Sequence, residues 1–505
     1  MQEQGLGVRG RVGSRSYRFR GVWYAAFACL LSLGCYSSSV VGKSGLPDAS
    51  DDPPRGSDAA VADAAAPIPS TPRVPSRFVA GHGEYLNLGT VLGDLDGDGL
   101  DDFVLGISSS ETGGTAYLFY GRPEFAEQID TSAADAMLAD PSLTMQGIGD
   151  VNADGLDDFM FEESAGTRVV FGRRQRLRSQ ADVASDSVVW SPGAPPSPYA
   201  PGSHTIRAMP TGDLNGDGAT DLIVVLPAWA DDSNVVLPGQ ETPAPRTFVV
   251  LGHGGPWAGG LFDPAWASAE LREGADPGSG YISAMPAGDI DGDGCTDLIN
   301  TNAPGLLYGG RDRWHGVVDV SSTDVAFVGA GWGIQGAGDI DGDGLGDLVV
   351  MGESDLGIVY GRRERWTGSI SLTVDWTLRF ELYPAQLVAV GDLNGDAAPD
   401  LIFRGYSDME APHGVLYVVN GSGQRTHATR SVTRADEFAN GSALEPSATD
   451  GPPGPALSFG SSVGVGDVDG DGSDDLLIAA PAGDVVQLES GGAVLLIPST
   501  PKRPD

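Results

Sequence analysis

The chain has 505 residues, with 69 Asp and Glu against 30 Lys and Arg, a formal net charge of −39, 74 Gly and 3 Cys. So acidic a surface excludes a main role in gripping nucleic-acid phosphates, and Cys29, Cys35 and Cys295 are too few for a disulfide framework and lack zinc spacing. A hydrophobic content of 41% is enough for real cores, so the acidity does not signal disorder, and the glycine count points to repeats.

Residues 1–20 carry Arg9, Arg11, Arg15, Arg18 and Arg20 against Glu3, and an uncharged apolar run follows from Val22 to Leu33. That run is too short to cross a hydrocarbon core, which takes about 20 residues, and a basic segment before a short apolar one is the pattern of an export signal. Its end, Leu30-Leu31-Ser32-Leu33-Gly34-Cys35, resembles a bacterial lipobox, in which the Cys becomes the lipidated first residue. The expectation is therefore a leader over 1–35 with lipidation at Cys35. An ordinary cleaved signal and a retained anchor are the alternatives. Tyr36, where retention at the inner membrane goes with Asp, tilts this resemblance toward an outer-membrane or cell-surface lipoprotein, with secretion the other outcome. Residues 36–75, with Ser37-Ser38-Ser39, Asp51-Asp52-Pro53-Pro54 and Ala64-Ala65-Ala66-Pro67, show no hydrophobic period and read as a disordered tether.

From residue 94 one acidic pattern recurs seven times. The copies are Asp94, Asp96, Asp98, Asp102; Asp150, Asn152, Asp154, Asp158; Asp213, Asn215, Asp217, Asp221; Asp289, Asp291, Asp293, Asp297. Then come Asp339, Asp341, Asp343, Asp347; Asp392, Asn394, Asp396, Asp400; and Asp467, Asp469, Asp471, Asp475. These residues hold positions 1, 3, 5 and 9, and position 6 is Gly in every copy except the sixth, where it is Ala397. Oxygen ligands at alternate positions converge only if the chain curls around an ion, and Gly at position 6 permits the sharp turn. No nitrogen or sulfur donor recurs, so the expected metal is Ca²⁺, up to seven per chain, with the position-7 carbonyl as a further ligand. The four-carboxylate loops are expected to bind more tightly than the three with Asn, and loop 6 is expected to be the poorest site. Position 12, the acidic anchor of an EF-hand, is Leu105, Phe161, Val224, Asn300, Val350, Phe403 and Ile478, which excludes that fold.

Short apolar runs flank each loop. Leu387–Val390 precedes a loop, Leu222–Val225 and Leu476–Ile478 follow loops, and Thr115–Phe119, Val415–Val419 and Ala493–Ile497 form a third strand. Val317–Val320 and Ser369–Leu372 read as weaker fourth strands. Four antiparallel strands repeated seven times over 76–500 make an all-β, seven-bladed propeller. The Pro-rich stretches 191–201 and 227–246 fit as protruding loops. After Ile497 no fourth strand remains for the last blade, so Arg77-Phe78-Val79-Ala80 is expected to close the ring from the N-terminal side.

Phe459-Gly460, the acidic loop from Asp467 and Leu476-Leu477-Ile478-Ala479-Ala480-Pro481 together resemble an FG-GAP repeat, the unit of the integrin α propeller and of many bacterial surface proteins. That resemblance implies calcium between the first two strands of each blade, and a role in adhesion or recognition.

Catalytic signatures do not appear. His82, His204, His253, His315, His413 and His427 have neither metal spacing nor a nucleophile motif beside them, and calcium accounts for the paired carboxylates. Cys295 sits at position 7 of loop 4, where the backbone carbonyl is the expected ligand. Phe171-Gly172-Arg173-Arg174 and Tyr360-Gly361-Arg362-Arg363 read as basic spots that touch an acidic ligand or pair with neighbouring acids. Trp190, Trp229, Trp257 and Trp266 line a sugar site or pack. The reading is a calcium-binding, non-enzymatic surface propeller that recognises a protein or glycan and reaches the membrane through its lipid. A carbohydrate-binding lectin and the scaffold of a lyase or hydrolase are the alternatives.

Overall fold

A computed structural model describes residues 76–79, 86–107, 114–139, 145–163, 166–192, 206–226, 245–273, 284–328, 333–352, 355–380, 385–405, 415–421, 423–427, 429–432, 437–440, 460, 462–480 and 493–499. The expected leader, the tether and most of the two Pro-rich stretches lie outside the described residues.

Seven small sheets follow one another along the chain, each with four antiparallel strands side by side in sequence order, except that the last takes its fourth strand from the N-terminal side. Blade 1 is Leu86–Gly93, Asp102–Ile107, Thr115–Phe119 and Ala136–Ala139. Blades 2 to 7 begin at Met145–Gly149, Arg207–Gly212, Ala284–Gly288, Gly333–Gly336, Ala385–Gly391 and Val463–Gly466. In every blade the acidic loop joins the first strand to the second, as when Gly93 pairs with Asp102 across loop 1.

Among the described residues the buried side chains form seven clusters, one for each seam between neighbouring blades. The second strands show why they read as unbroken apolar runs. Phe103 and Leu105 face the seam with blade 7, while Val104 between them faces blade 2. Leu222 and Val224 likewise face blade 2 while Ile223 faces blade 4. Alternate residues of a strand point to opposite sides, so a sheet packed on both faces needs every position apolar.

Closure comes from the N-terminal side, as expected. Ser76–Val79 runs antiparallel to Ala493–Ile497, with Phe78 opposite Val494, and supplies the outer strand of blade 7. Phe78 is fully buried between Phe103 and Phe119, at ring-centroid distances of 5.4 and 5.1 Å. Burying such a ring contributes about 3 kcal/mol.

One expectation is corrected. Gly316–Asp319 and Gly368–Ile370 are not fourth strands of their own blades. They pair in parallel with the outer strands Ala269–Arg272 and Val325–Phe327 of the preceding blades. The true fourth strands are Val325–Phe327 in blade 4 and Trp376–Phe380 in blade 5. The link between the third and fourth strands thus reaches back as a fifth strand, and Gln128–Asp130, Gly260–Leu261 and Thr429–Val432 do the same. Blade 2 lays the short helix α1, Gln180–Ser185, in this link instead, with Val183 in the seam with blade 1.

Candidate metal centres

Each loop is wound by its own aspartates. In loop 1 the N–H groups of Gly97 and Asp98 donate to Asp94 Oδ1 at 2.7 and 3.1 Å, and Gly99 N–H donates to Oδ2 at 2.9 Å. The bonds from positions 5 and 6 to position 1 recur in all seven loops. Position 5 then turns its Oδ1 to the N–H of position 7, as Asp98 does for Leu100 at 3.0 Å. Positions 4 and 6 both lie in the left-handed region, at φ +73° for Gly97 and +88° for Gly99. Position 6 was legible from the sequence. Position 4 was not, and in loop 2 it is Ala153 at +57°, while Ala397 takes +66° in loop 6. Each carries a strain of about 1–2 kcal/mol that Gly avoids.

Position 9 begins the second strand in six blades and directly precedes it in blade 5, and it is almost wholly buried in every blade. Both carboxylate oxygens accept backbone N–H groups: Asp102 takes Leu95 at 3.0 Å and Gly121 at 2.8 Å. The same pair of bonds holds Asp158, Asp221, Asp297, Asp347, Asp400 and Asp475. Burial, against these bonds and aided by neighbouring aspartates, pushes Asp102, Asp158, Asp297 and Asp347 up to about 8. It pushes Asp221, Asp400 and Asp475 up to about 7. Such a site favours a cation that neutralises what burial makes costly.

Carboxylate oxygens of positions 1, 3 and 9 converge in loops 1, 4, 5 and 7, all within 4.8 Å of one another. Position 5 is outside each of these groups. In loops 2, 3 and 6, the Oδ1 atoms of Asn152, Asn215 and Asn394 are buried with no hydrogen-bond partner. A buried carbonyl-type oxygen left unpaired is costly, and an oxygen-seeking ion would satisfy it. The donor set therefore fits a hard cation in all seven loops, through carboxylates in four and through unpaired amide oxygens in three.

The loops are also tied to one another. The N–H of position 8 donates to the carbonyl of position 1 in the preceding loop, as Asp157 does to Asp94 at 3.1 Å and Asp101 to Asp467 at 2.9 Å. Thr220, Thr296, Gly346 and Asp474 repeat it. Position 8 of blade 6 is Pro399, which has no N–H to give.

The other singled-out residues pack. Trp190 is buried with its Nε1–H donated to Ala258, and Trp257 lies stacked between Trp190 and His253. Trp266 packs on Phe262, and Trp229 is outside the described residues. Burial, with Asp293 beside it, pushes the Cys295 thiol up to about 12, far from a nucleophile's range. Arg173 pairs with Asp182 and Asp186, and Arg362 lies 4.7 Å over Trp366. His253, His315 and His427 are exposed, while His82, His204 and His413 lie outside the described residues. No helix among the described residues is long and apolar enough to cross a membrane.

The FG-GAP repeat family model matches residues 459–497, which hold the loop and first three strands of blade 7. No curated protein matches the chain. Among solved structures, BBS1N in complex with ARL6DN is similar at 13% identity over 85% of this chain and 98% of that one, with a TM-score of 0.34. Rhamnogalacturonan lyase PL11 of Bacillus licheniformis is similar at 11% over 82% and 72%, TM-score 0.36. The V. cholerae biofilm matrix protein Bap1 is similar at 15% over 68% and 38%, TM-score 0.22. At these scores none of the three bears on what the chain does.

Proposed function

With an FG-GAP repeat in blade 7 of a seven-bladed ring as premise, we propose that this chain is an extracellular calcium-binding propeller, not an enzyme, that recognises a protein or glycan at a cell surface. One observation carries the calcium reading: the same loop is built seven times on one architectural position, with either converging carboxylates or an unpaired amide oxygen. Ca²⁺ tolerates six to eight oxygen ligands in flexible geometry, whereas Mg²⁺ demands a near-ideal octahedron, so Ca²⁺ is the expected ion. Bound ions offset the crowding of carboxylates that makes the bare loops unfavourable, and so stiffen the ring that carries the recognition loops. Trp190, Trp257 and Trp266 are each engaged with other aromatic rings, and the lectin reading gains no support from that packing. Export and lipidation at Cys35 belong to the same proposal and rest on the sequence of 1–35.

Titration of the metal-stripped full-length chain tests the calcium reading. Uptake of several Ca²⁺ per chain, with a melting midpoint that climbs with Ca²⁺ concentration and far less with Mg²⁺, is expected. A midpoint indifferent to Ca²⁺ overturns it. Binding to glycan arrays and surface proteins, in Ca²⁺ and in chelator, separates the two ligand classes. Loss of membrane association in Cys35→Ala tests the anchor.

A further inference from the structure

Six of the seven loops fall into two electrical kinds, and the difference is written at position 3, at the residue after the third strand and in what the following blade brings to the loop. In blades 1, 4 and 5, position 3 is Asp96, Asp291 or Asp341, and the residue after the third strand is Tyr120, Tyr308 or Tyr360. The following blade brings an arginine to each of these loops. Arg176 pairs with Asp96 and Asp98, Arg365 with Asp291 and Asp293, and Arg425 with Asp341 and Asp343. Each guanidinium also lies over that blade's tyrosine ring, at 4.7, 4.6 and 5.4 Å. The tyrosine hydroxyl in turn accepts the N–H of the residue after the arginine, at 2.7 Å from Leu177, 2.8 Å from Trp366 and 2.9 Å from Thr426.

In blades 2, 3 and 6 position 3 is Asn, and the tyrosine is replaced by Phe171, Leu251 and Asn420. Blade 3 brings Pro256 to loop 2 where an arginine would stand, leaving a hollow of about 290 Å³ lined by Asn152, Asp154, Phe171, Gly255, Pro256 and Trp257. Blade 4 has Arg313 in the corresponding place, but Arg313 pairs with Asp324, and Arg311 reaches loop 3 only at the Gly216 carbonyl.

We propose that Arg176, Arg365 and Arg425 are built-in counter-cations that fasten three blade seams without metal and lower the calcium affinity of the loops they clamp. Four carboxylates with one guanidinium carry the same formal charge as three carboxylates with an Asn. The clamped loops therefore bind calcium like the Asn loops rather than more tightly, and the fourth carboxylate serves the seam. The planar fork suits this place, since it spans two carboxylates and stacks on an aromatic face at once.

The proposal rests on the calcium reading for affinity, but not for the seam. The triple variant R176Q/R365Q/R425Q of the full-length chain separates the two. Stripped of metal, it is expected to melt roughly 5 °C below the parent, and saturating Ca²⁺ is expected to close most of that gap. In chelator-buffered titrations about three equivalents of Ca²⁺ should bind roughly tenfold more tightly than in the parent, because a unit charge beside the ion has gone. Arg→Lys at the same places keeps the charge and should leave calcium affinity near the parent's. If the triple variant does not fold, R425Q alone should tighten one equivalent. An equal fall with and without Ca²⁺ at unchanged affinity makes these arginines plain packing residues and overturns the proposal, as does no fall in the metal-free protein. A parent that takes up no Ca²⁺ sinks the calcium reading instead, and the metal-free melting still decides the seam.

Discussion

Loops 6 and 7 are neighbours in the ring and opposites in their sequence. Loop 7 has four carboxylates, Gly470 and Gly472 at both left-handed positions and Asp474 at position 8. Loop 6 has Asn394, then Ala397 at φ +66°, then Pro399. Yet the hydrogen bonds that wind them match: Ala397 N–H meets Asp392 Oδ2 at 2.7 Å, and Gly472 N–H meets Asp467 Oδ2 at 2.9 Å. The aspartates at positions 1 and 9 therefore set the loop. Glycine and the fourth carboxylate adjust strain and charge on a frame already fixed.

The hardest test of that frame is to remove position 9 from both loops. Asp400→Ala strips an acceptor from Leu393 and Gly421 N–H groups, and Asp475→Ala strips one from Val468 and Ser499. Gly421 and Ser499 N–H lose their acceptor, Leu393 and Val468 N–H are left with the Gly391 and Gly466 carbonyls at 3.2 and 3.1 Å, and Asn394 Nδ2 also loses Asp400. Each change should cost about 2–3 kcal/mol, read from denaturant midpoints. Near-equal losses keep the comparison. A loss at Asp475 alone breaks it, and would mean that loop 6 is idle.

The pH response comes next. Burial holds Asp400 and Asp475 at about 7, and the other five position-9 groups at about 7 to 8, above an ordinary value near 4. Between those limits the folded, metal-free chain holds more protons than the unfolded one. Its stability is then greatest below about pH 4 on this account and falls as pH rises toward 8. Metal-stripped protein should lose melting temperature steadily from pH 5 to 8, and calcium should flatten the curve. A metal-free protein that gains stability over this range contradicts the burial argument.

Much of this was readable before any fold was in view. The period of the acidic loop, the apolar runs and the missing last strand led to a seven-bladed ring closed by Phe78, because each depends on local pattern or on counting. The fifth strands were misplaced for a physical reason. Val317 and Ile370 sit in segments with strand-like residues, but whether a segment pairs within its own blade or with the one before is set by the path of the link, not by its composition. The two N–H groups on each position-9 aspartate come partly from 12 to 31 residues away, so spacing alone marked the residue as a candidate ligand and missed it as a staple. Position 4, glycine in six loops just as position 6 is, escaped notice because the ligand pattern supplied a reason for a sharp turn only at position 6.

A smaller effect separates strain from burial. Gly472 has nothing within 4 Å of an added Cβ, so Gly472→Ala tests backbone strain alone at φ +85° and should cost about 1 kcal/mol. Ala397→Gly is the mirror experiment and should return up to about 1 kcal/mol, less what the freer unfolded glycine gives back. Both should appear as shifts of the calorimetric midpoint of opposite sign. Equal signs would mean that position 6 is not where the two loops differ.

Pro399 marks the smallest and most specific difference. Six loops receive a position-8 N–H from the next blade, among them loop 6 from Asp474 at 2.8 Å, while loop 5 faces Pro399 across Gly338. At loops 1, 6 and 7 the position-8 residue is aspartate, whose carboxylate also accepts the N–H of position 1, as Asp474 does for Asp392 at 2.7 Å. Pro399→Asp would offer both bonds to Asp339. Against about 1 kcal/mol for each bond gained stand the proline ring's packing on Gly338 and its restriction of the unfolded chain, worth up to about 1 kcal/mol. The net gain should be about 0.5 kcal/mol, with slower amide exchange at Asp339 as the local sign that the belt of loops has closed. Exchange left unchanged, whatever the melting point does, would show that no loop-to-loop hydrogen bond has formed and that blades 5 and 6 meet through their apolar seam and the Arg425 contacts.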